Sequence, residues 1–208
     1  MISINVEKRL KAYSGQQWLK ISHEFADGSI TKIYGPSGAG KTTFLKIIAG
    51  LITPEKGIIT VDGNAWLDTS SKQNLLPQKR MVGFVFQNYA LFPNMTVQQH
   101  LEYASNDAQW IRRLLKVGKL ETLTTHKPEH LSGGQQQRLA ILRAIAIKPK
   151  LLLMDEPFSA LDQKMKSALI KELKLLFAEL KMTVLIVTHN PQELDGIADS
   201  ELMIDSEE

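Results

Sequence analysis

No cysteine occurs among the 208 residues, which excludes disulfide frameworks, cysteine-ligated zinc, iron-sulfur clusters and thiol nucleophiles. Long apolar runs are missing too. Ile145-Ala146-Ile147 and Leu151 to Met154 are typical of the longest, against the roughly 20 apolar residues that a membrane-spanning helix needs. Met1 to Arg9 carries charges where a secretory signal would have its apolar segment, so a cytoplasmic location is expected. A dense Lys/Arg run is also lacking, although all 25 basic residues lie at or before Lys181 and seven of the 22 acidic ones follow it. The body therefore sets 25 basic against 15 acidic residues, and the last stretch carries −7. This distribution reads as dispersed surface charge with a solvated acidic end. What is present, 43% hydrophobic and 23% charged residues, is enough for one globular domain with a self-sufficient core.

The chain changes character along its length. Ile2-Ser3-Ile4-Asn5-Val6 and Trp18-Leu19-Lys20-Ile21 alternate apolar and polar residues on either side of Ser14-Gly15, which predicts an antiparallel pair of strands. Ile30 to Tyr34 then reads as a strand, Gly35 to Gly40 as a glycine-rich turn, and Lys41 to Ala49 as a helix stopped by Gly50 and Pro54. Leu151 to Met154 and Thr183 to Val187 are continuous apolar runs, as parallel strands covered on both faces require. Between them Asp162 is placed to cap a helix with Leu169, Leu173, Leu176 and Leu180 on its apolar face. Strands alternating with helices predict an α/β domain with a parallel core sheet. About residues 88 to 144 read as a mostly helical insertion.

Gly35-Pro36-Ser37-Gly38-Ala39-Gly40-Lys41-Thr42 matches G-x-x-x-x-G-K-[ST] between a strand and a helix. Glycines let the backbone wrap a polyphosphate with amide N–H groups inward, and the helix N-terminus adds partial positive charge. Lys41 is expected to reach the β- and γ-phosphates and Thr42 to ligate magnesium, with Thr43 following in the ATP-binding loop. At the C-terminal end of a buried strand, where open α/β sheets bind ligands, stand Asp155 and Glu156. Asp155 is expected to hold the metal, and Glu156 to polarise an attacking water.

Leu131-Ser132-Gly133-Gly134-Gln135, followed by Gln136-Gln137-Arg138, provides a serine and two glycines at a helix start, a second phosphate-binding surface. This segment resembles the signature motif of ATP-binding cassette (ABC) ATPases, and the likeness covers nearly the whole chain. The resemblance implies a P-loop NTPase core, an antiparallel β subdomain at the N-terminus and an inserted helical subdomain. Residues 1–87 and 145–208 would form the catalytic core, and about 88–144 the helical part. It implies ATP and Mg2+ as ligands and a head-to-tail dimer, homodimeric or with a second nucleotide-binding subunit, in which the signature reads the opposing subunit's ATP. Gln87 then resembles the glutamine that senses magnesium and water, Ser159-Ala160-Leu161-Asp162 the loop between the two sites, and His189 the γ-phosphate switch. Adenine stacking falls to Tyr13 or Trp18, with Tyr13 nearer the expected spacing; Trp18 starts a strand and competes as core.

The stretch from Trp66 to Arg80 and from Gly83 to Val97 further resembles bacterial importers, especially the molybdate and related oxyanion branch. Such a subunit is expected on the inner face of the cell membrane, docked on a permease through Tyr89, Leu91 and Phe92 and served indirectly by a solute-binding protein. Exporters and lipid-extracting motors share these core motifs, so the motifs leave that alternative open. Nucleic acid is not an expected partner: fewer than a hundred residues separate Thr42 from Leu131 and no sustained heptads occupy them.

Overall fold

A computed structural model describes residues 1–12 and 15–205. The alternating N-terminal segments form two long antiparallel strands, β1 (Ile2–Ala12) and β2 (Gly15–Phe25), with Ile4 opposite His23 and Val6 opposite Ile21. Ile2, Ile4, Val6, Leu19, Ile21 and Phe25 make their buried face. Strand β3 (Ile30–Tyr34) runs into the glycine-rich turn and helix α1 (Lys41–Ile48). Beyond α1 the chain adds β4 (Lys56–Val61), β5 (Asn64–Asp68) and the short β6 (Gln73–Asn74), giving an antiparallel sheet of order β2-β1-β4-β5-β6. These last three strands were not anticipated. Their one clear signal is Asp62-Gly63, whose φ angles of 50° and 76° suit a two-residue hairpin turn. An exposed Ile58 and a register shift between Ile59 and Thr60 break the alternation around it.

Strand β7 (Val82–Val85) leads into the helical region, α2 (Val97–Ala104), α3 (Ala108–Gly118) and α4 (Gly133–Ala146). The chain then returns through β8 (Leu151–Asp155), α5 (Gln163–Glu179), β9 (Thr183–Val187) and β10 (Ser200–Met203). The second sheet is parallel throughout, in the order β10-β3-β9-β8-β7. Its central strands serve two cores, which is why they read as unbroken apolar runs. Leu151 and Leu153 of β8 face α1 and the antiparallel sheet, whereas Leu152 and Met154 face α4 and α5. Helix α1 is thus enclosed between two sheets, with Phe44, Leu45, Ile47 and Ile48 fully buried; each such side chain contributes roughly 1.5–3 kcal/mol. Arg80, only 3% exposed, seals its C-terminal end by donating to the carbonyls of Ile47 (3.0 Å) and Ile48 (2.6 Å). Burial lowers its guanidinium to about 10, and these carbonyl partners hold it in place.

The C-terminal stretch refines one expectation. Asp195, Asp199, Glu201 and Asp205 are exposed as expected, yet several acidic residues here also have partners, as β10 lies beside β3. Asp199 accepts the Ile30 amide at 2.8 Å, and Lys32 pairs with Asp195 (2.9 Å) and Glu201 (3.1 Å). Glu193 pairs with Lys166 at 2.8 Å and accepts from the Thr188 hydroxyl at 2.6 Å. Asp195, Glu201 and Glu193 thus neutralise part of the positive charge of the body, at Lys32 and Lys166.

Candidate nucleotide site

The turn after β3 is glycine-rich for a steric reason visible at its first residue. A Cβ on Gly35, where φ is 150°, would stand 1.9 Å from the Ile204 carbonyl oxygen at the end of β10. Lys41 begins α1 and is buried, its ammonium donating to the carbonyls of Gly35 (2.8 Å) and Pro36 (2.7 Å). Burial lowers its pKa, and the neighbouring Glu156 and Asp155 charges offset part of that. Those two carbonyls hold the cation at the loop.

Next to it the Thr42 hydroxyl donates to Asp155 Oδ1 at 3.1 Å, joining the start of α1 to the end of β8. Asp155 is 2% exposed, and its carboxyl is raised, chiefly by desolvation and also by the Glu156 charge. A buried, under-compensated carboxylate beside a threonine hydroxyl is a donor set suited to a hard divalent cation. Glu156 sits one residue on with a left-handed φ of 51°, so its side chain leaves the strand direction. Glu156 Oε1 lies 2.6 Å from His189 Nε2, beyond the end of β9.

Ser37, Gly38, Gly40, Lys41, Thr42, Thr43, Gln87, Glu156 and His189 line one open polar cavity of about 280 Å³. Four separate stretches of sequence meet there. Ala39 is buried beneath the loop and Pro36 is exposed at its rim. A larger cavity, about 510 Å³, opens at the other end of the parallel strands near Trp66, Met81, Leu151 and Thr183, and contains none of these residues.

The signature segment is elsewhere. Ser132 caps α4 in a reciprocal pair, its hydroxyl accepting the Gln135 amide (3.3 Å) while the Gln135 side chain accepts the Ser132 amide (2.7 Å). Leu131 is buried beneath it, and Ser132 and Gly133 face solvent. Gly134 packs against Ala160 and Leu161, and Asp162 caps α5 by accepting the Met165 amide at 2.9 Å. None of residues 131–135 lines the phosphate cavity, so a nucleotide in that cavity leaves this helix start unused within one chain.

One residue between the two was missed. Gln137, 1% exposed, donates to the Glu156 carbonyl (3.0 Å) and the Ser159 hydroxyl (3.2 Å) and accepts the Ala160 amide (3.0 Å). Its signal was a polar side chain two positions past the signature, at the start of a helix whose next residues turn apolar, where a buried amide must find partners. Of the aromatic candidates, Tyr13 lies outside the described residues. Trp18 is inside β2 and half-buried rather than core, opposite Arg9, whose guanidinium stands 5.2 Å from the ring centroid. Tyr89 and Leu91 are half-buried against the helical core, and Phe92 is 40% exposed.

A phosphate-type loop opening α1, paired acids at a strand end and an inserted helical region define a P-loop nucleotide-binding domain of the cassette type. The ABC transporter family profile matches residues 19–159, and the chain belongs to that family. It is 41% identical over 214 residues to the sulfate/thiosulfate import ATP-binding protein CysA of Mesostigma viride, covering 99% of this chain and 60% of that protein. It is 37% identical to the molybdenum import ATP-binding protein ModC of Shewanella sp. (strain MR-7), over 98% of this chain and 56% of that protein. The chain therefore spans little more than half the length of these two relatives. The dimeric post-hydrolysis structure of the ATP-binding cassette MJ0796, bound to ADP and Pi, superposes with a TM-score of 0.83 at 32% identity, covering 100% of this chain and 98% of that one. The fold is the ABC ATPase fold. No helix among the described residues is long and apolar enough to cross a membrane.

Proposed function

We propose that this chain is the ATP-binding and ATP-hydrolysing subunit of an ABC importer for an oxyanion of the sulfate or molybdate kind. The observation that carries the ATPase reading is the single cavity joining Lys41, Thr42, Gln87, Glu156 and His189. Gly35 to Thr43 would cradle the phosphates with backbone amides, and Lys41 would exchange its carbonyl partners for phosphate oxygens. Thr42 and Asp155, with Gln87, would hold magnesium, which supplies charge neutralisation on the phosphate oxygens when bound. Glu156 would orient and deprotonate the attacking water, and its 2.6 Å contact with His189 supports a role for that imidazole at the γ-phosphate. Tyr13 or Trp18 would stack on adenine; Trp18 already carries Arg9 on its ring.

The solvent-facing signature supports the dimer. Ser132 and the α4 N-terminus would read the ATP of the opposing subunit, and Gln137 would link that contact to Glu156 and the 159–162 loop of its own chain. Ser132→Arg is expected to cut turnover by about two orders of magnitude with nucleotide affinity kept, since an oriented donor set at the transition state carries roughly that factor. Retained turnover in a malachite-green phosphate assay would overturn the two-cradle arrangement.

Tyr89, Leu91 and Phe92 would receive a short permease helix in a groove beside α2 and α4. A benzophenone amino acid at Phe92 is expected to cross-link, in native membranes, to a polytopic importer subunit identified by mass spectrometry. Cross-links to soluble proteins alone would remove this docking reading. The oxyanion assignment rests on kinship with sulfate/thiosulfate and molybdenum import proteins, and uptake of radiolabelled sulfate and molybdate in a deletion strain decides between them.

A further inference from the structure

The segment that follows Gln87 is bent by force. Tyr89 and Ala90 have φ angles of 62° and 47°, two consecutive non-glycine residues in the left-handed region, which side chains bearing a Cβ disfavour. Such a conformation persists only when its surroundings over-determine it. Two side chains do so here. Arg143 of α4 donates to the carbonyls of Ala90 (2.7 Å) and Tyr89 (3.2 Å) and lies 5.3 Å from the Phe92 ring centroid. His100 of α2, with no exposed surface, stacks its ring on Phe92 at 5.8 Å and takes the Phe92 amide on Nε2 at 2.9 Å.

These contacts decide the tautomer. His100 Nδ1 lies 2.7 Å from the Thr96 carbonyl, which can only accept, so Nδ1 carries the proton; Nε2, facing an amide N–H, must present its lone pair. We propose that neutral His100 is the positioning residue for residues 89–92, and that a proton on Nε2 releases this segment. The added proton would face the Phe92 N–H donor-to-donor.

Several charged and titratable groups surround this imidazole. From α4 comes the Arg143 cation and from α2 itself the Tyr103 phenol behind Phe92, while the loop before α4 brings up His126, whose carbonyl receives the Val97 amide and whose Nδ1 is buried. Desolvation first, then Arg143, lowers the His100 pKa from 6.5, against the Thr96 bond that raises it. The folded protein thus binds this proton less readily than the unfolded chain does. The stabilisation is complete above the unfolded value near 6.5 and is lost as pH falls through the lower folded value. Its consequence for transport rests on the docking reading above: an acid cytoplasm would loosen the surface that receives the permease.

The test needs no permease. In the full-length protein labelled with 15N, the His100 ring shifts, assigned by difference from His100→Gln, should report the Nδ1–H tautomer at about pH 8. The Phe92 amide, corrected for intrinsic exchange, should be about a hundredfold more protected at pH 8 than at pH 5. His100→Gln keeps an acceptor oxygen that does not titrate, so its Phe92 protection should be the same at both pH values, whereas His126→Gln should behave as wild type. An Nε2–H tautomer, or an equal pH response in wild type and His100→Gln, would overturn the proposal. Should His100→Gln fail to fold, its ring signals are assigned by mutating the other histidines, and the wild-type tautomer decides. Failure of Phe92 cross-linking at every pH would remove the docking reading and leave this one standing.

Discussion

Replacing Glu156 by Gln is expected to slow ATP cleavage about a thousandfold, within the range that a positioned general base contributes, while ATP affinity stays within a few-fold. The reasoning is local. Glutamine has the shape of the glutamate, so the left-handed backbone at position 156, with its amide on the Val187 carbonyl and its own carbonyl accepting from Gln137, is undisturbed. What is lost is the negative charge that would draw a proton from water and pair with His189. Asp155 and Thr42 are untouched, so nucleotide and magnesium binding should persist. With cleavage stopped, ATP and magnesium should accumulate a sandwiched dimer. Light scattering measures this directly: a monomer at saturating ATP and magnesium would contradict the dimer, and turnover near wild type would remove Glu156 from its role.

Lys41→Ala is expected to weaken ATP binding by at least about a hundredfold, the equivalent of roughly 2.7 kcal/mol for a charge-assisted phosphate contact in a partly buried site. Lys41 differs from the surface lysines because its ammonium is already desolvated and held by two backbone carbonyls at the loop. Those carbonyls lie at the loop surface, where water replaces the ammonium, so the free protein should lose little stability, about 1 kcal/mol or less. Isothermal titration with a non-hydrolysable ATP analogue separates the two effects when run beside urea denaturation. Undiminished affinity would show that the phosphates do not reach this ammonium.

Both residues were readable from sequence because each belongs to a contiguous motif: Lys41 closes a glycine turn before a helix, and Glu156 ends an apolar strand. The helix cap at Asp162 and the strand pair at residues 2–25 were readable for the same reason. Strands β4 to β6 were harder, since they are held by successive pairing, β4 on β1, β5 on β4 and β6 on β5, rather than by their own alternation, and only the Asp62-Gly63 turn announces them. The ion pairs of the acidic end were not legible because charge along a chain says nothing of neighbours in space; Lys32 meets Asp195 and Glu201 only after β10 pairs with β3. Gln137 and His100 did not stand out as functional candidates for a related reason. Both are polar residues on helices, and burial alone turned them into obligate hydrogen-bonding centres.

The amino-acid sequence by itself determined the class of protein, because the phosphate loop, the acidic strand end and the signature are short contiguous patterns whose spacing dictates their backbone. The absences of cysteine and of long apolar runs narrowed the chemistry from the start. Only the tertiary structure decided which of these patterns share a cavity. Thr42 reaches Asp155 across 113 positions of sequence, whereas the signature, far closer to Asp155 in sequence, is kept out of the same cavity and turned to solvent. The physical reason is that parallel strands align their C-terminal ends only through crossovers and a register set by packing on both faces of the sheet, and no local pattern encodes that register.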